Sequence, residues 1–154
     1  RQRIDGECGR PEENLMNQTA IFWPMLAHVL LVFIVYVVLG MRRFEAIKSG
    51  TAKAHDYKQR VSEPERTMTA ANNLMNQFEA PVLFHVCCLA LHATAGVSYV
   101  VLVLAWLFAL SRYVHAYVHL TTNKLKHRNY SFRLGLLLLA LMWVWFALHL
   151  AGAV

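Results

Sequence analysis

Four long apolar stretches, separated by short polar segments, dominate the hydrophobic pattern of the chain. They cover about residues 20–41, 80–95, 97–119 and 134–154. Leu and Ala are frequent in them, and polar residues do not alternate with apolar ones as they do in the strands of a membrane barrel. Since a helix needs about 20 predominantly apolar residues to cross a bilayer, the pattern predicts an all-α membrane protein with a four-transmembrane-helix bundle.

The expected helices extend beyond the apolar stretches into the polar residues that flank them. They cover about residues 18–43, 67–94, 97–122 and 131–152. The second apolar stretch is too short to span a bilayer alone. Its helix therefore needs the preceding polar turns, with Asn76 and Glu79 inside the membrane or its headgroup layer. A polar N-terminal tail over residues 1–17 precedes a single domain over residues 18–154.

Composition and charge indicate that these helices lie in a membrane and how they are oriented relative to the cytoplasm. The chain is 57% hydrophobic and 16% charged, with a formal net charge of +6. Of its fifteen Lys and Arg residues, seven lie in residues 42–66 and five in residues 112–133. Because basic loops stay in the cytoplasm, we expect a multi-pass protein of the cell (inner) membrane with both termini outside the cytoplasm. The charge is thus explained by topology, and a nucleic-acid partner is not expected, since no soluble basic surface with interleaved aromatic residues accompanies it.

Two polar stripes interrupt the apolar helices near the expected cytoplasmic ends. The first consists of Thr69, Asn72, Asn76 and Glu79, and the second of Arg112, His115 and His119. Spacings of three and four residues place each stripe on one helix face. Glu79 is the only acidic residue in a predicted apolar span, and such a carboxylate usually faces the bundle interior and has a partner. Arg112 or a cationic ligand is the natural partner. The stripes predict a site between helices, with polar contacts that hold helices together as the alternative.

These stripes resemble a motif of the MAPEG superfamily, the membrane-associated proteins in eicosanoid and glutathione metabolism, in a bacterial-type member. The resemblance rests on Asn76-x-x-Glu79 followed by Pro81, and on Arg112-x-x-His115-x-x-x-His119 with a basic loop behind it. It covers residues 66–152 well and the first helix only in hydropathy. The resemblance implies a homotrimer of four-helix subunits, with glutathione bound between neighbouring subunits near the cytoplasmic face.

The resemblance also implies roles for single residues in binding glutathione. Asn76 and Glu79 match the pair that contacts glutathione, with Glu79 facing its amino group. His115 matches a position that lines the same site, and His119 stands where several members have a tyrosine. Arg112, from the second stripe, is expected in the same site.

A second implied role is the activation of the glutathione thiol. Arg128 lies close to the position of a family arginine that stabilises the thiolate, and Lys124 and Lys126 are neighbouring candidates for the same role. A nearby cation lowers a thiol pKa from about 8.5 towards neutrality. The expected catalytic residues are therefore Arg128, Lys124 and Lys126, and no metal is required.

One position departs from the family motif. Asn72 stands where the well-studied enzymes have an arginine that holds a glutathione carboxylate. Arg42 or Arg43 of the first helix could supply that cation instead. Asn72 is retained as an expected contact of the ligand.

Three functions remain open at this point. The resemblance implies a glutathione-dependent transferase or peroxidase that binds glutathione, or a similar thiol, and acts on a lipophilic small molecule. The alternative is a non-catalytic trimeric MAPEG-like protein that binds membrane lipid or a partner. A third possibility is a haem or metal protein, because imidazole is a common ligand of both. Its candidate ligands are His85, His92, His115 and His119.

Overall fold

The computed structural model describes residues 17–59 and 63–154, and within them it contains helices and no strand. A 3-10 turn over Gln18–Ile21 is followed by α1 (Phe22–Lys48), α2 (Asp56–Gln59), α3 (Glu65–Asn76), α4 (Ala80–Ala93), α5 (Tyr99–Leu120) and α6 (Leu125–Leu150). Four segments are long and apolar enough to cross a membrane, namely Gln18–Lys48, Glu65–Ala93, Tyr99–Leu120 and Leu125–Leu150. This confirms the predicted all-α bundle with four spanning segments. The predicted polar tail lies outside the described residues, except for Asn17.

Large apolar side chains cover the outside of the bundle. Phe33 on α1 is 63% exposed, Val103 on α5 is 57% exposed and Leu137 on α6 is 57% exposed. A water-soluble protein rarely exposes so much contiguous apolar surface. The outer surface of these helices is therefore suited to contact with lipid chains.

The interior is built mainly where α4, α5 and α6 meet. Phe84 of α4 stacks on Phe108 of α5 with ring centroids 4.4 Å apart, and Met142 of α6 packs in the same buried cluster. Helices α5 and α6 approach closely because α6 has Gly135 at the contact, where a Cβ atom would lie 3.0 Å from Ser111 Oγ. Small residues commonly allow such close approach between membrane helices.

The second span is divided, whereas the sequence predicts one helix over residues 67–94. It is interrupted by Gln77, Phe78 and Glu79, here called the α3–α4 break. Pro81 accounts for the interruption, because it has no N–H to donate and its ring clashes with the carbonyl four residues earlier in a continuous helix. Glu79 adopts φ −95° and ψ −106°, outside the helical region. The break therefore removes Glu79 from the helical register that it would share with Asn76.

The fourth span begins at Leu125, six residues before the start that the sequence predicts near residue 131. The apolar run alone predicts the later start, but the basic residues before it are also good helix formers. The connection to α5 is a short turn in which Asn123 has φ 46°. The early start places Arg128 inside α6, one turn from its beginning.

Candidate functional site

A cavity of about 310 Å³ lies where α3, α5 and the first turns of α6 meet. It is lined by Asn72 and Asn76 of α3, His115 and His119 of α5, and Arg128, Asn129 and Phe132 of α6. We call it the polar cavity. Five of its seven lining residues belong to the set that the sequence singled out, although these residues come from three different helices.

Arg112 lies beside this cavity and is almost completely buried, with 1% of its surface exposed. Its Nη2 donates a hydrogen bond to the backbone oxygen of Asn76 at 3.0 Å. That carbonyl is at the end of α3, where the last carbonyl groups of a helix lack partners within the helix. The guanidinium carbon also lies 5.9 Å from the ring centroid of Phe132. Arg112 thus connects α5 to the α3–α4 break and to α6.

Arg128 fixes the orientation of two imidazole rings. Its Nη1 lies 3.3 Å from His119 Nε2 and donates to Asn123 Oδ1 at 3.0 Å. Because a guanidinium only donates hydrogen bonds, His119 Nε2 accepts and the ring proton is on Nδ1. The Nδ1 of His115 lies 3.2 Å from the backbone oxygen of Arg128. A carbonyl only accepts, so His115 donates from Nδ1, and in the neutral ring its Nε2 is an acceptor.

Three buried polar atoms around the site have no hydrogen-bond partner. They are Arg112 Nε, His115 Nε2 and His119 Nδ1. With the ring protons assigned above, Arg112 Nε and His119 Nδ1 are donors and His115 Nε2 is an acceptor. Leaving a buried polar group unpaired costs about 1–3 kcal/mol, and such groups in native proteins usually have an explanation in function. The arrangement is suited to a polar ligand with both kinds of hydrogen-bonding group.

The charge at the site is positive, and its two guanidinium groups form no salt bridge with a described carboxylate. Neither Arg112 nor Arg128 has a carboxylate within 4.0 Å among the described residues, where the salt bridges involve Glu45, Asp56 and Glu63. Buried cations normally have a partner. The cavity is therefore suited to an anionic ligand.

Glu79 does not lie where the sequence placed it. It is exposed, does not line the cavity, and its charge interacts with that of Arg112 only from beyond salt-bridge distance. The expected Glu79–Arg112 ion pair is thus not formed within the described chain. The reason is the α3–α4 break, which turns Glu79 away from the face of α3 that carries Asn76.

The other candidate cations are also outside the polar cavity. Lys124 and Lys126 are exposed, and Lys126 lines a different groove. Arg42 donates to the backbone oxygens of Arg66 and Leu120, at 2.9 and 2.6 Å. Arg43 forms an ion pair with Glu63 at 2.9 Å. In the described part of the chain, neither Arg42 nor Arg43 lines the polar cavity beside Asn72.

Three residues of α6 at the site were not singled out from the sequence. Asn129 and Phe132 line the cavity. Ser131 Oγ lies 3.0 Å from the backbone oxygen of Arg128 and 3.4 Å from His115 Nδ1. Phe132 is four residues after Arg128 and three after Asn129, and these spacings make Phe132 a neighbour of both on the helix surface. The sequence carries this signal only when the helix is taken to begin at Leu125.

A second group of polar side chains lies between α1, α3 and α4, with all of its members buried except the half-buried His85. It consists of Asn73, Gln77, His28 and His85, which form the buried polar chain. In the described residues, no group of three or more His, Cys, Asp or Glu side chains is placed to hold a metal ion. The four histidines of the haem or metal hypothesis lie in three separate places. His85 contacts His28, His92 Nδ1 contacts the Gln18 backbone oxygen, and His115 and His119 line the polar cavity.

Comparison with known proteins gives one match. The model of the MAPEG family matches residues 20–148, which include all four spans apart from their outermost residues. No curated protein and no solved structure matches the chain.

Proposed function

The chain belongs to the MAPEG family, and from this premise we propose that it is a glutathione-dependent transferase or peroxidase of the membrane. Glutathione, or a similar thiol peptide, occupies the polar cavity. The second substrate is a lipophilic electrophile or hydroperoxide that reaches the thiol from the bilayer. The observation that carries the proposal is the polar cavity itself, where two arginines without a carboxylate partner adjoin buried donors and an acceptor without partners.

The groups of the cavity complement those of glutathione. Glutathione has two carboxylates, an ammonium group, two amides and a thiol. Arg112 is suited to bind a carboxylate, because hydrogen bonds between charged partners are about twice as strong as neutral ones. The amide side chains of Asn72 and Asn76 can bind peptide groups. Glu79, the last residue of the break, is available to accept a hydrogen bond from the ammonium group.

Arg128 is the residue we assign to the thiol. Its guanidinium is held by Asn123 and His119, so it is positioned before the ligand arrives. A cation at that place favours the thiolate over the thiol and lowers the thiol pKa from about 8.5 towards neutrality. The thiol proton leaves to water. On an electrophilic carbon the thiolate forms a thioether while the leaving group departs with its bonding electron pair. On a hydroperoxide the thiolate takes the terminal oxygen, the O–O bond breaks, the alkoxide takes a proton from water to leave as the alcohol, and a second glutathione reduces the resulting sulfenic acid to give the disulfide and water. Lys124 and Lys126 remain alternatives for this role, and their exposed positions make them weaker candidates.

A homotrimer in the inner membrane completes the proposal. The exposed position of Glu79 and the missing cation beside Asn72 both favour a site to which a neighbouring subunit contributes. The two basic loops support an orientation with the polar cavity on the cytoplasmic side, where glutathione is dissolved, and both termini outside the cytoplasm.

Titration calorimetry of the detergent-solubilised protein with reduced glutathione tests the proposal. We expect saturable binding that Arg128→Gln and Glu79→Gln both weaken. Arg133→Gln is the matched control, since Arg133 is also on α6 but is exposed and outside the polar cavity. No binding at millimolar glutathione would overturn the proposal.

A titration of the bound thiol separates Arg128 from the lysines. The ultraviolet absorbance of the thiolate is followed against pH in the complex. Arg128→Gln is expected to move the transition to higher pH, because the cation that favours the charged form is removed. If Lys124→Gln or Lys126→Gln produces the larger shift, the role belongs to that lysine.

The second candidate function is a non-catalytic trimer that binds lipid or a partner. The observation in its favour is Asn72, which lacks the charge that would hold a glutathione carboxylate. Under this alternative, Glu79→Gln weakens the trimer in detergent, as seen by size-exclusion chromatography with light scattering, and no thiolate forms.

A further inference from the structure

A second groove, of about 480 Å³, runs between α5 and α6 on the outside of the bundle. Its apolar walls include Val114 and Val118 of α5 and Leu134 of α6, and its end at the first turns of α6 carries Lys126, His127 and Tyr130. We call it the α5–α6 groove. Val114 is 53% exposed and Leu134 is 45% exposed. The groove is therefore open to whatever surrounds these transmembrane helices.

The interior of the groove offers almost no polar group. Ser131 is in its wall, but its hydroxyl already has partners. Ser131 Oγ lies 3.1 Å from the backbone oxygen of His127, 3.0 Å from that of Arg128 and 3.4 Å from His115 Nδ1. Ser131 is thus engaged towards the bundle interior and separates the groove from His115. What remains is an apolar channel with polar and basic groups only at one end.

The basic end of the groove has no counter-ion within this half of the protein. Residues 80–154 contain five Lys and Arg and no Asp or Glu. Lys126 forms no salt bridge with a described residue, since the salt bridges there involve Arg43, His55 and Arg66. A ligand with a negative group at one end would supply the missing charge.

We propose that the α5–α6 groove is a binding site for an anionic phospholipid. One acyl chain lies along Val114, Val118 and Leu134, and the phosphate contacts Lys126 and His127. Basic pockets between transmembrane helices on the cytoplasmic side are suited to anionic headgroups. The distribution of Lys and Arg along the chain predicts that the start of α6 lies on that side. Tyr130, with 78% of its surface exposed, is the type of residue that lies at headgroup depth.

The two parts of the groove select this ligand over others. Free phosphate would neutralise Lys126 but would leave the apolar walls without an occupant. A zwitterionic lipid has the same chains, but its choline cation would be placed beside the basic end. Only a lipid with a net negative headgroup satisfies both parts. None of the three apolar wall residues lines the polar cavity, so the site does not depend on glutathione binding.

Native mass spectrometry of the delipidated full chain tests the proposal with two lipids of the same acyl chains, phosphatidylglycerol and phosphatidylcholine. We expect one phosphatidylglycerol per chain, retained about five-fold more strongly than phosphatidylcholine, the ratio that one basic residue near the membrane surface gives. Lys126→Gln is expected to remove the preference. Lys124→Gln is the matched control, because Lys124 is two residues away and also exposed but does not line the groove.

A second pair of variants tests the acyl-chain part. Val114→Trp fills the groove and is expected to lower the retention of both lipids. Leu110→Trp, one turn away on α5 and 57% exposed, is expected to leave retention unchanged, since Leu110 does not line the groove. Circular dichroism verifies that each variant is folded.

Three outcomes would overturn the proposal. If Lys124→Gln and Lys126→Gln reduce the preference for phosphatidylglycerol equally, the preference comes from general positive charge and not from a defined site. Equal retention of the two lipids would remove the role of the headgroup. Complete displacement of phosphatidylglycerol by an equal concentration of inorganic phosphate would remove the role of the acyl chain.

Discussion

His28 Nε2 lies 3.2 Å from Gln77 Oε1, and through this contact the first span holds the residue at which the second span breaks. Gln77 Nε2 donates to Asn73 Oδ1 at 3.2 Å. Since the Gln77 oxygen can only accept, His28 carries its proton on Nε2. Its Nδ1, 3.1 Å from His85 Nε2, then accepts. Every bond of the buried polar chain therefore has one donor and one acceptor, and the chain connects α1, α3 and α4.

Loss of this contact should destabilise the bundle. His28 is 1% exposed, so His28→Phe leaves Gln77 Oε1 buried without a donor. The expected loss is about 1–3 kcal/mol in the free energy of unfolding, measured by thermal unfolding in detergent. His92→Phe is the control, because His92 is half-buried near the other end of the span, its hydrogen-bonding contact is with a backbone oxygen at 3.2 Å, and a Phe ring can keep its packing against Phe22. Equal losses in the two variants would contradict a special role for His28.

The bundle could be predicted from the sequence because its signal is local. Length, apolarity and the placement of Lys and Arg give four spans without any knowledge of packing. The sequence does not predict the α3–α4 break although it contains Pro81, because a proline near the start of an apolar run is equally compatible with a kinked continuous helix. The sequence also predicts too late a start for α6. Its first turns are polar, so the apolar pattern does not include them.

The site could be predicted only as far as helix faces determine it. Asn72 and Asn76 share one face of α3, and His115 and His119 share one face of α5. The spacing along each helix, together with the expected orientation of the helices in the membrane, predicts that these two faces lie close together. The buried polar chain could not be predicted in this way. Asn73 and Gln77 are also four residues apart, but their partner His28 is 49 residues from Gln77, and only the packing of α1 against α3 brings them together.

Arg112 is expected to be important for ligand binding and of little value for stability. A buried guanidinium without a carboxylate partner carries a desolvation cost that its hydrogen bond to the Asn76 carbonyl and its contact with the Phe132 ring only partly offset. Arg112→Met should therefore leave the free energy of unfolding within about 1 kcal/mol of the parent, or raise it. Glutathione affinity should fall by about ten-fold or more, because a hydrogen bond to a charged group contributes about 1.5–3 kcal/mol.

Thermal unfolding with and without glutathione measures both effects for Arg112→Met. Arg112→Lys is the informative control, because it keeps the charge while losing the planar fork of donors. A loss of more than about 3 kcal/mol without ligand, the range for breaking a buried pair, would instead identify Arg112 as a structural anchor.

Asn72→Arg tests whether the departure from the family motif limits affinity. Asn72 lines the polar cavity and is exposed, so a longer cationic side chain can be accommodated. We expect the affinity for glutathione to rise about ten-fold, which corresponds to one charge-assisted hydrogen bond. Thr69→Arg places the same charge one turn earlier on α3, outside the cavity lining. If both variants raise the affinity equally in calorimetry, the gain comes from general attraction and the position of Asn72 is not special.

The contact of Gly135 with Ser111 gives the sharpest test of how α5 packs on α6. A Cβ atom at Gly135 would lie 3.0 Å from Ser111 Oγ, and that hydroxyl is held by a 2.7 Å hydrogen bond to the Phe108 backbone oxygen. Gly135→Ala should lower the free energy of unfolding by about 1–3 kcal/mol because the helices must separate. Gly40→Ala on α1 has nothing within 4 Å of the new Cβ, so it should be neutral or gain up to about 1 kcal/mol from helix propensity.

A double variant decides whether the Gly135 effect is steric. Ser111→Gly removes the hydroxyl and makes room for the new methyl group, so Ser111→Gly combined with Gly135→Ala should recover most of the stability that Gly135→Ala alone loses. Thermal unfolding of the two single variants and the double variant gives the coupling between the positions. If the losses of the two single variants simply add, Ser111 and Gly135 are not in direct contact. The helices α5 and α6 would then be farther apart at this point than the distance of 3.0 Å between Ser111 Oγ and a Cβ at position 135 implies.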